Sequence, residues 1–183
     1  NGGTAYPNII IASTPAGGLS YSWTVPDSVA TTCKVKISDA SDATVFDESN
    51  ANFAIRGGFN ITAPNGAEIW TVGTSQNITW TTTGSVANIK LEYSTDGGTT
   101  YPNVIIASTP ATAGSYSWTI PDAISNTVRV KITNLADTVV LDTSDANFKI
   151  AGSLNLTSPN GGEALIVSSS QNIAWTKSGT MAN

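Results

Sequence analysis

The chain contains one 95-residue sequence in tandem, and this repetition limits its fold to a series of similar modules. Trp23-Thr24-Val25-Pro26-Asp27 returns as Trp118-Thr119-Ile120-Pro121-Asp122, and Pro64-Asn65-Gly66 returns as Pro159-Asn160-Gly161. The offset is 95 positions at every match, no gap is needed, and more than half of the aligned residues are identical. Self-similarity at a fixed period indicates an array of structural units. Such an array favours a spacing role over catalysis.

The repeat predicts three segments. Residues 58–152 are one complete module, residues 1–57 the later part of a preceding copy, and residues 153–183 the opening part of the next. The short stretches Gly57-Gly58 and Ala151-Gly152-Ser153 act as linkers, which predicts modules with little freedom to swing. An incomplete module exposes strand edges and an apolar face. We therefore expect the chain to continue past both ends, or neighbouring copies to complete it head to tail.

Composition excludes several classes of function. Only 11% of the residues are charged and the net charge is −5, so nothing predicts binding to nucleic acid. No apolar run predicts insertion of this segment into a membrane. Histidine is absent, which removes the commonest general base and metal ligand. We expect no enzyme activity, no catalytic residue and no cofactor.

The lone Cys33 is interpreted as a packing residue. It aligns with Val128 in the next copy, and no histidine exists to activate a thiol nucleophile. A disulfide within the chain is excluded, because the sequence has a single cysteine.

Alternation of apolar and polar residues predicts an all-β fold. Val128, Val130 and Ile132 alternate with Arg129 and Lys131, the pattern of a half-buried strand. Turn residues separate about eight such runs per module, which predicts tandem immunoglobulin-like or fibronectin-like β-sandwich modules of 95-residue period. The aromatic residues expected in the cores are Trp23, Phe53, Trp80, Trp118, Phe148 and Trp175.

Five motifs of the complete module carry a resemblance to a known family. They are Thr62-Ala63-Pro64-Asn65-Gly66-Ala67-Glu68, Gln76-Asn77-Ile78-Thr79-Trp80, Tyr93-Ser94-Thr95-Asp96-Gly97-Gly98, Ser115-Tyr116-Ser117-Trp118-Thr119-Ile120-Pro121-Asp122 and Asp142-Thr143-Ser144-Asp145-Ala146-Asn147-Phe148-Lys149-Ile150. Together they resemble the Ser/Thr-rich GPI-anchored repeat family of the Kre/Knh type, relatives of which occur in tandem in long bacterial secreted and cell-surface proteins. The resemblance implies a sandwich module in an extracellular or cell-surface setting. It supplies no catalytic residue.

One segment of the complete module, Ser94-Thr95-Asp96-Gly97-Gly98-Thr99-Thr100-Tyr101, also resembles the Asp-box hairpin of sialidase-type propellers. In that hairpin an aspartate caps backbone N–H groups of the turn, and glycines supply positive φ. Asn1 aligns with the aspartate and is able to cap in the same way. We interpret the motif as structural, with the residues Ser94, Asp96, Gly97, Gly98, Thr100 and Tyr101.

Acidic residues in the loops suggest a calcium site. Such a site requires several carboxylates to converge on the ion. The candidates are Asp137, Asp142 and Asp145, with Asp39, Asp42 and Asp47 in the preceding copy. Asp145 aligns with Asn50, and Asp39 with Asn134, so the set is not maintained. Solvated loop carboxylates are the favoured interpretation, and no metal ligand is assigned.

Two further hypotheses concern carbohydrate, one its attachment to the chain and the other its binding. Asn60, Asn77 and Asn155 each begin an Asn-X-Thr acceptor triplet on the face expected to point outward, where β-propensity alone would also favour threonine. Trp70, Tyr6 and Tyr101 are candidates for a sugar-stacking platform. Trp70 aligns with Leu165, however, and each tyrosine precedes a proline in a hairpin arm, so packing and anchoring are favoured.

Two functions from different classes stay open. The first is a non-catalytic structural module of a long extracellular fibre, stalk or surface filament. The second is a module that binds glycans or calcium, in an adhesin or in an accessory region of an extracellular enzyme. Outward aromatic or acidic clusters maintained from copy to copy would favour the second, and in these two copies they mostly change.

Overall fold

The computed structural model describes residues 2–181, and nearly all of their regular structure is β. Within this range there is no α-helix, and two 3-10 turns lie at Ala16–Gly18 and Ala111–Ala113. The prediction of an all-β chain is confirmed. The chain divides into two compact units, one of residues 1–58 with Thr83–Val86 and one of residues 59–82 with 87–183.

The first unit contains four short strands. They are β1 (Ala30–Cys33), β2 (Lys36–Ser38), β3 (Phe46–Glu48) and β4 (Phe53–Ile55). β1 pairs antiparallel with β4, and β2 pairs antiparallel with β3. Trp23 and Phe53 meet edge to face at 6.4 Å between ring centroids, and both are half-buried. Both rings therefore keep part of their surface exposed to solvent.

Eleven further strands lie in residues 58–178. They are β5 (Gly58–Ala63), β6 (Ile69–Thr71), β7 (Ser75–Thr83), β8 (Asn88–Ser94), β9 (Asn103–Pro110), β10 (Ser115–Thr119), β11 (Ser125–Asn134), β12 (Leu141–Thr143), β13 (Phe148–Ala151), β14 (Ser153–Ser158) and β15 (Ala174–Ser178). One sheet has the order β10-β7-β5, and a larger one has the order β6-β13-β11-β8-β9, with β12 also pairing β11. β14 pairs with β15.

Aromatic side chains join the two larger sheets. Trp118 on β10 lies 6.0 Å from Trp70 on β6 and 5.0 Å from Tyr93 on β8, measured between ring centroids. Trp70 also lies 5.0 Å from Phe148 on β13. The indole N–H of Trp80 donates to the carbonyl of Ala111 at 2.9 Å, which satisfies its buried polar group. The core is therefore built on inward positions of alternating strands.

Burial of the aromatic residues expected in cores differs from one copy to the next. Trp80, Trp118 and Phe148 are buried. Trp175 is exposed, so the expectation of a buried Trp175 is wrong for this structure. The reason is strand pairing: β7, which carries Trp80, lies between β5 and β10, whereas β15 pairs with β14 alone in the described residues.

Candidate functional site

The Asp-box-like turn is organised around one buried hydroxyl. The Ser94 Oγ accepts from the backbone N–H of Asp96 at 3.1 Å and of Gly98 at 2.9 Å, and donates to the Asp96 carboxylate at 2.5 Å. Asp96 in turn accepts from the N–H and the hydroxyl of Thr100 at 3.0 and 2.6 Å. Hydrogen bonds from Ser94, and then from Thr100, hold the pKa of Asp96 well below its usual range. All of these hydrogen bonds lie within the turn, so the Asp96 carboxylate acts as its cap.

Tyr101 anchors this turn to the sheet. A Cβ added to Gly98 would lie 2.9 Å from the Tyr101 Oη, so the backbone packs directly against the phenol. The Lys131 Nζ lies 4.6 Å from the ring centroid of Tyr101, and burial raises the pKa of the phenol. This half-buried ring is not a free platform for a sugar.

The aligned turn of the first copy has the same backbone. Gly2 and Gly3 have φ of +63° and +86°, against +77° and +90° for Gly97 and Gly98. The N–H of Gly2 donates to Thr32 at 2.9 Å, as that of Gly97 donates to Thr127 at 2.8 Å. Asn1, the expected cap, lies outside the described residues.

The other aromatic candidates are also occupied. Trp70 is buried against two rings. The phenol of Tyr6 donates to the Glu48 carboxylate, and this hydrogen bond raises the pKa of Tyr6 to about 12. The Cys33 thiol is half-buried and lies 3.7 Å from the carbonyl of Ala30. Neither of the two rings is presented for stacking.

Two of the acidic candidates, Asp39 and Asp42, serve separate local turns. Asp39 accepts from the N–H of Ser41, and Asp42 accepts from the hydroxyl and the N–H of Thr44; these bonds lower the pKa of each carboxyl. Within residues 2–181, no three or more Asp, Glu, Cys or His side chains are grouped so as to hold a metal ion. Asp47, Asp137, Asp142 and Asp145 therefore do not form the calcium cluster that the hypothesis requires.

The glycosylation candidates lie on the outward face. Asn60, Asn77 and Asn155 are exposed on β5, β7 and β14. Outward hydroxyls pair beside them, as between Thr62 and Thr79 at 2.7 Å. Attachment of sugar stays a prediction. Among residues 2–181, no helix has the length and apolar character needed to cross a membrane.

A set of hydrogen bonds, here called the polar lock, joins the opening turn of the complete repeat to its last strands and is buried at Ser144 and exposed at Asp145. The Ser144 Oγ donates to the carbonyl of Pro64 at 2.7 Å and accepts from the N–H of Val130 at 3.0 Å. The Asn65 amide donates to Asp145 at 2.7 Å and accepts from the N–H of Asp145 at 2.6 Å. The bonds between Ser144 and Pro64 and between Asp145 and Asn65 join residues that lie 80 positions apart.

The same opening turn is formed in the third segment. Glu163 accepts from the N–H groups of Asn160 and Gly161 at 2.8 and 2.7 Å, as Glu68 accepts from Asn65 and Gly66 at 2.8 Å each. The bond from Asn160 is the main cause that lowers the pKa of Glu163. The opening turns of both copies are therefore held by the same kind of bond, from two backbone N–H groups to one glutamate.

A repeated contact joins the Pro-Asp loop of one copy to the Gly-Ser/Thr turn of the next. Asp122 accepts from the N–H of Thr180 at 2.9 Å and from its hydroxyl at 2.6 Å. One repeat earlier, Asp27 accepts from the N–H and the hydroxyl of Ser85, each at 2.7 Å. These bonds lower the pKa of both carboxyls. We call this contact the repeat joint.

Close backbone packing accompanies each repeat joint. A Cβ on Gly152 would lie 2.7 Å from the carbonyl oxygen of Ser178 and 2.9 Å from the Met181 Sδ. A Cβ on Gly57, the aligned residue, would lie 2.5 Å from the carbonyl oxygen of Thr83. Glycine is required at both linkers because the next turn packs on the chain itself. The repeat in the sequence includes Pro121-Asp122, but it assigns the aspartate no partner, although the aspartate and the Gly-Ser/Thr pair recur together.

Comparison of the sequence with protein-family models, with curated proteins and with solved structures gives no match. The resemblance to the Ser/Thr-rich repeat family therefore stays a prediction.

Proposed function

We propose that the chain is a non-catalytic structural segment of a long extracellular fibre, stalk or surface filament. Its 95-residue repeats would be immunoglobulin-like β-sandwich modules that follow one another along that filament. The all-β fold, the aromatic contacts between two sheets and the tandem sequence support this proposal. The extracellular setting rests on the resemblance given above.

The repeat joint is the observation that carries the proposal. Two carboxylates, Asp27 and Asp122, each cap a turn 58 residues further along the chain, with nearly the same distances. A contact that recurs with the sequence period propagates along an array, because every copy supplies both halves of it. A spacer needs such a contact, whereas a lone binding domain does not.

The chemistry of the side chains supports a role without catalysis. Asp96, Asp122 and Glu163 are engaged as caps of turns, and their depressed pKa values keep them ionised near neutral pH. A general acid needs the opposite shift, toward the working pH. The Cys33 thiol has no histidine in the sequence to activate it.

The test is to insert further copies of residues 58–152 after position 152 and to measure the maximum dimension by small-angle X-ray scattering. We expect the same increase for each added copy, because every insertion creates one more repeat joint. Growth that follows the weak power law of a compact globule would contradict the spacer role. A calcium-dependent rise in Tm, or selective retention on a glycan array, would support the binding hypothesis instead.

A further inference from the structure

We propose that Asn65 is a modification site, at which the side-chain amide is converted to a carboxylate with release of ammonia, and that the polar lock sets the rate of this conversion. The bonds of the lock hold Asn65 unreactive while the repeat is closed, and each opening of the lock exposes it to the reaction. The inference stands apart from the proposed function, because it concerns contacts within the complete repeat.

Asn65 is followed by a glycine, which makes its side-chain amide more reactive than that of other asparagines. The carbonyl carbon of the amide, Cγ, is open to attack by the backbone nitrogen of the next residue. Glycine has no Cβ to obstruct this approach, and its backbone reaches the conformations that the attack requires. The pair Asn65-Gly66 recurs as Asn160-Gly161, so it belongs to the repeat.

The conversion takes two steps, and its co-reactant is water. In the first step the Gly66 nitrogen gives its proton to hydroxide and forms a bond to the Asn65 Cγ. The bond from Cγ to the amide nitrogen breaks, and this nitrogen takes a proton from water and leaves as ammonia, which regenerates the hydroxide. In the second step water opens the cyclic imide at either carbonyl and gives aspartate or isoaspartate. The net reaction consumes one water and releases one ammonia.

The polar lock holds the side chain that is attacked. The Asn65 amide nitrogen donates to the Asp145 carboxylate at 2.7 Å, and the amide oxygen accepts from the backbone N–H of Asp145 at 2.6 Å. Both polar ends of the amide are therefore bound to one residue. Cγ cannot turn toward the Gly66 nitrogen unless both of these hydrogen bonds break, so the closed lock suppresses the first step.

The attacking nitrogen is held as well. The N–H of Gly66 donates to the Glu68 carboxylate at 2.8 Å. A negative carboxylate beside this N–H disfavours loss of its proton, which would place a second negative charge there. The backbone has little room to turn, since a Cβ on Gly66 would lie 2.6 Å from the Cβ of Ala146. The closed turn therefore restrains both partners of the reaction.

Ser144 keeps the lock closed from its buried side. Its Oγ donates to the carbonyl of Pro64 at 2.7 Å and accepts from the N–H of Val130 at 3.0 Å. Pro64 directly precedes Asn65, so release of the Pro64 carbonyl also loosens Asn65. Parts of a folded protein open locally with their own free energies. Because the reaction is confined to the open state, its rate is proportional to the fraction of time for which the lock is open.

The product cannot rebuild the lock. After the conversion a carboxylate oxygen stands where the Asn65 amide donated a hydrogen bond, so two negative charges face each other at residues 65 and 145. Isoaspartate also adds a carbon atom to the main chain, for which the close packing of Gly66 on Ala146 leaves little space. One opening event thus becomes a permanent change in the repeat.

The first experiment incubates the 183-residue chain at mildly alkaline pH and follows the conversion of Asn65 by peptide mass mapping. Mapping is needed because Asn-Gly also occurs at positions 1–2 and 160–161. We expect Asp145→Ala and Ser144→Ala to convert Asn65 about tenfold faster than the wild type, because each removes bonds that keep the lock closed.

The matched control is Ser75→Ala, which loses a hydroxyl hydrogen bond on the exposed face and should convert Asn65 at the wild-type rate. Asp145→Ala decides the test, since residue 145 is exposed and its loss leaves the core intact. A wild-type rate in Asp145→Ala, an equal acceleration by Ser75→Ala, or no conversion of Asn65 in any of these proteins overturns the proposal.

The second experiment examines the product through Asn65→Asp. We expect this variant to lose a few degrees of Tm relative to the wild type, because the new carboxylate faces Asp145. Adding Asp145→Asn should restore most of the loss, since the amide then lies at position 145 and donates to the carboxylate at position 65. The fold accepts asparagine at this place, because Asn50 is the aligned residue of the preceding copy.

The outcomes of the second experiment are equally definite. A Tm of Asn65→Asp equal to that of the wild type, or a double variant that recovers nothing, would mean that the conversion leaves the lock closed, and the proposal would be wrong.

Discussion

The carboxylate of Asp122 caps Thr180, a residue 58 positions away, through both the backbone N–H and the hydroxyl of that residue. Asp27 caps Ser85 in the same way and over the same separation. Hydrogen bonds to a charged acceptor are stronger than those between neutral groups. The Pro-Asp loop thus fixes the position of a turn that belongs, by sequence, to the next repeat.

Loss of this carboxylate should loosen the turn that it caps. In Asp122→Ala, we expect the Thr180 amide to exchange its hydrogen faster than in the wild type, because its acceptor is gone. Thr180→Ser should behave like the wild type, since Ser85 fills the aligned position with the same two donors. Hydrogen exchange followed by mass spectrometry checks both. Unchanged protection of Thr180 in Asp122→Ala would show that the cap does not hold the turn.

Aromatic burial gives a second prediction. Trp118→Ala should lower the free energy of unfolding by roughly 3–5 kcal/mol, because the ring packs against Trp70 and Tyr93 in the core. Trp175→Ala should cost far less, since that ring is exposed. Chemical denaturation measures both values. Equal losses would mean that the two tryptophans have the same surroundings, contrary to the structure.

The alternation of apolar and polar residues predicted the strands well, but it did not predict contacts between residues that are distant in sequence. Period-two alternation identified β11 and the inward positions of Val128, Val130 and Ile132, because side chains of a strand alternate between its two faces. The cap of Thr180 by Asp122 could not be predicted, since alternation carries no information about partners in the next repeat. The prediction that Trp175 lies in a core rests on its alignment with Trp80. It was wrong, because the alignment carries no information about which strands cover the ring.

The buried part of the polar lock, at Ser144, gives a third prediction. Ser144→Ala should destabilise the fold by roughly 1–3 kcal/mol, because the Pro64 carbonyl and the Val130 N–H would be left without their buried partner. Ser75→Ala is the control, since that hydroxyl bonds to Ser117 on the exposed face. Denaturant unfolding checks the pair. Equal effects of the two substitutions would mean that the buried bonds of Ser144 do not stabilise the fold.

The two glycines of the capped turn should differ in their response to substitution. Both have positive φ, so alanine at either carries a cost of roughly 1–2 kcal/mol. Gly98→Ala should cost more than Gly97→Ala, because its Cβ would lie 2.9 Å from the Tyr101 Oη and 3.1 Å from the Arg129 Cδ, while a Cβ on Gly97 meets nothing within 4 Å. The difference in Tm between the two variants tests this. A larger loss for Gly97→Ala would contradict the packing of Tyr101.

The last prediction concerns acid stability and Glu92, which is buried between two lysines. Its carboxylate contacts the Nζ of Lys90 at 2.5 Å and of Lys131 at 3.0 Å. Burial acts to raise the pKa of Glu92, but the hydrogen bonds and charges of the two lysines outweigh it and hold the pKa below the usual value of 4.5. The stabilisation from this carboxylate is therefore complete above pH 4.5 and is lost as the pH falls through the lower pKa of the folded state.

We expect Glu92→Gln to be less stable than the wild type at pH 7 by roughly 1–3 kcal/mol, since the bonds to the lysines lose their charged acceptor. The difference between the two proteins should shrink as the pH is lowered below 4.5, because protonation makes the wild-type side chain neutral as well. Free energies of unfolding measured at several pH values test this. Other carboxyls with depressed pKa values, such as Asp96 and Asp122, lower the stability of both proteins in acid, so they cancel in the difference. A difference that stays constant from pH 7 to pH 3 would mean that Glu92 is not stabilised in its charged form.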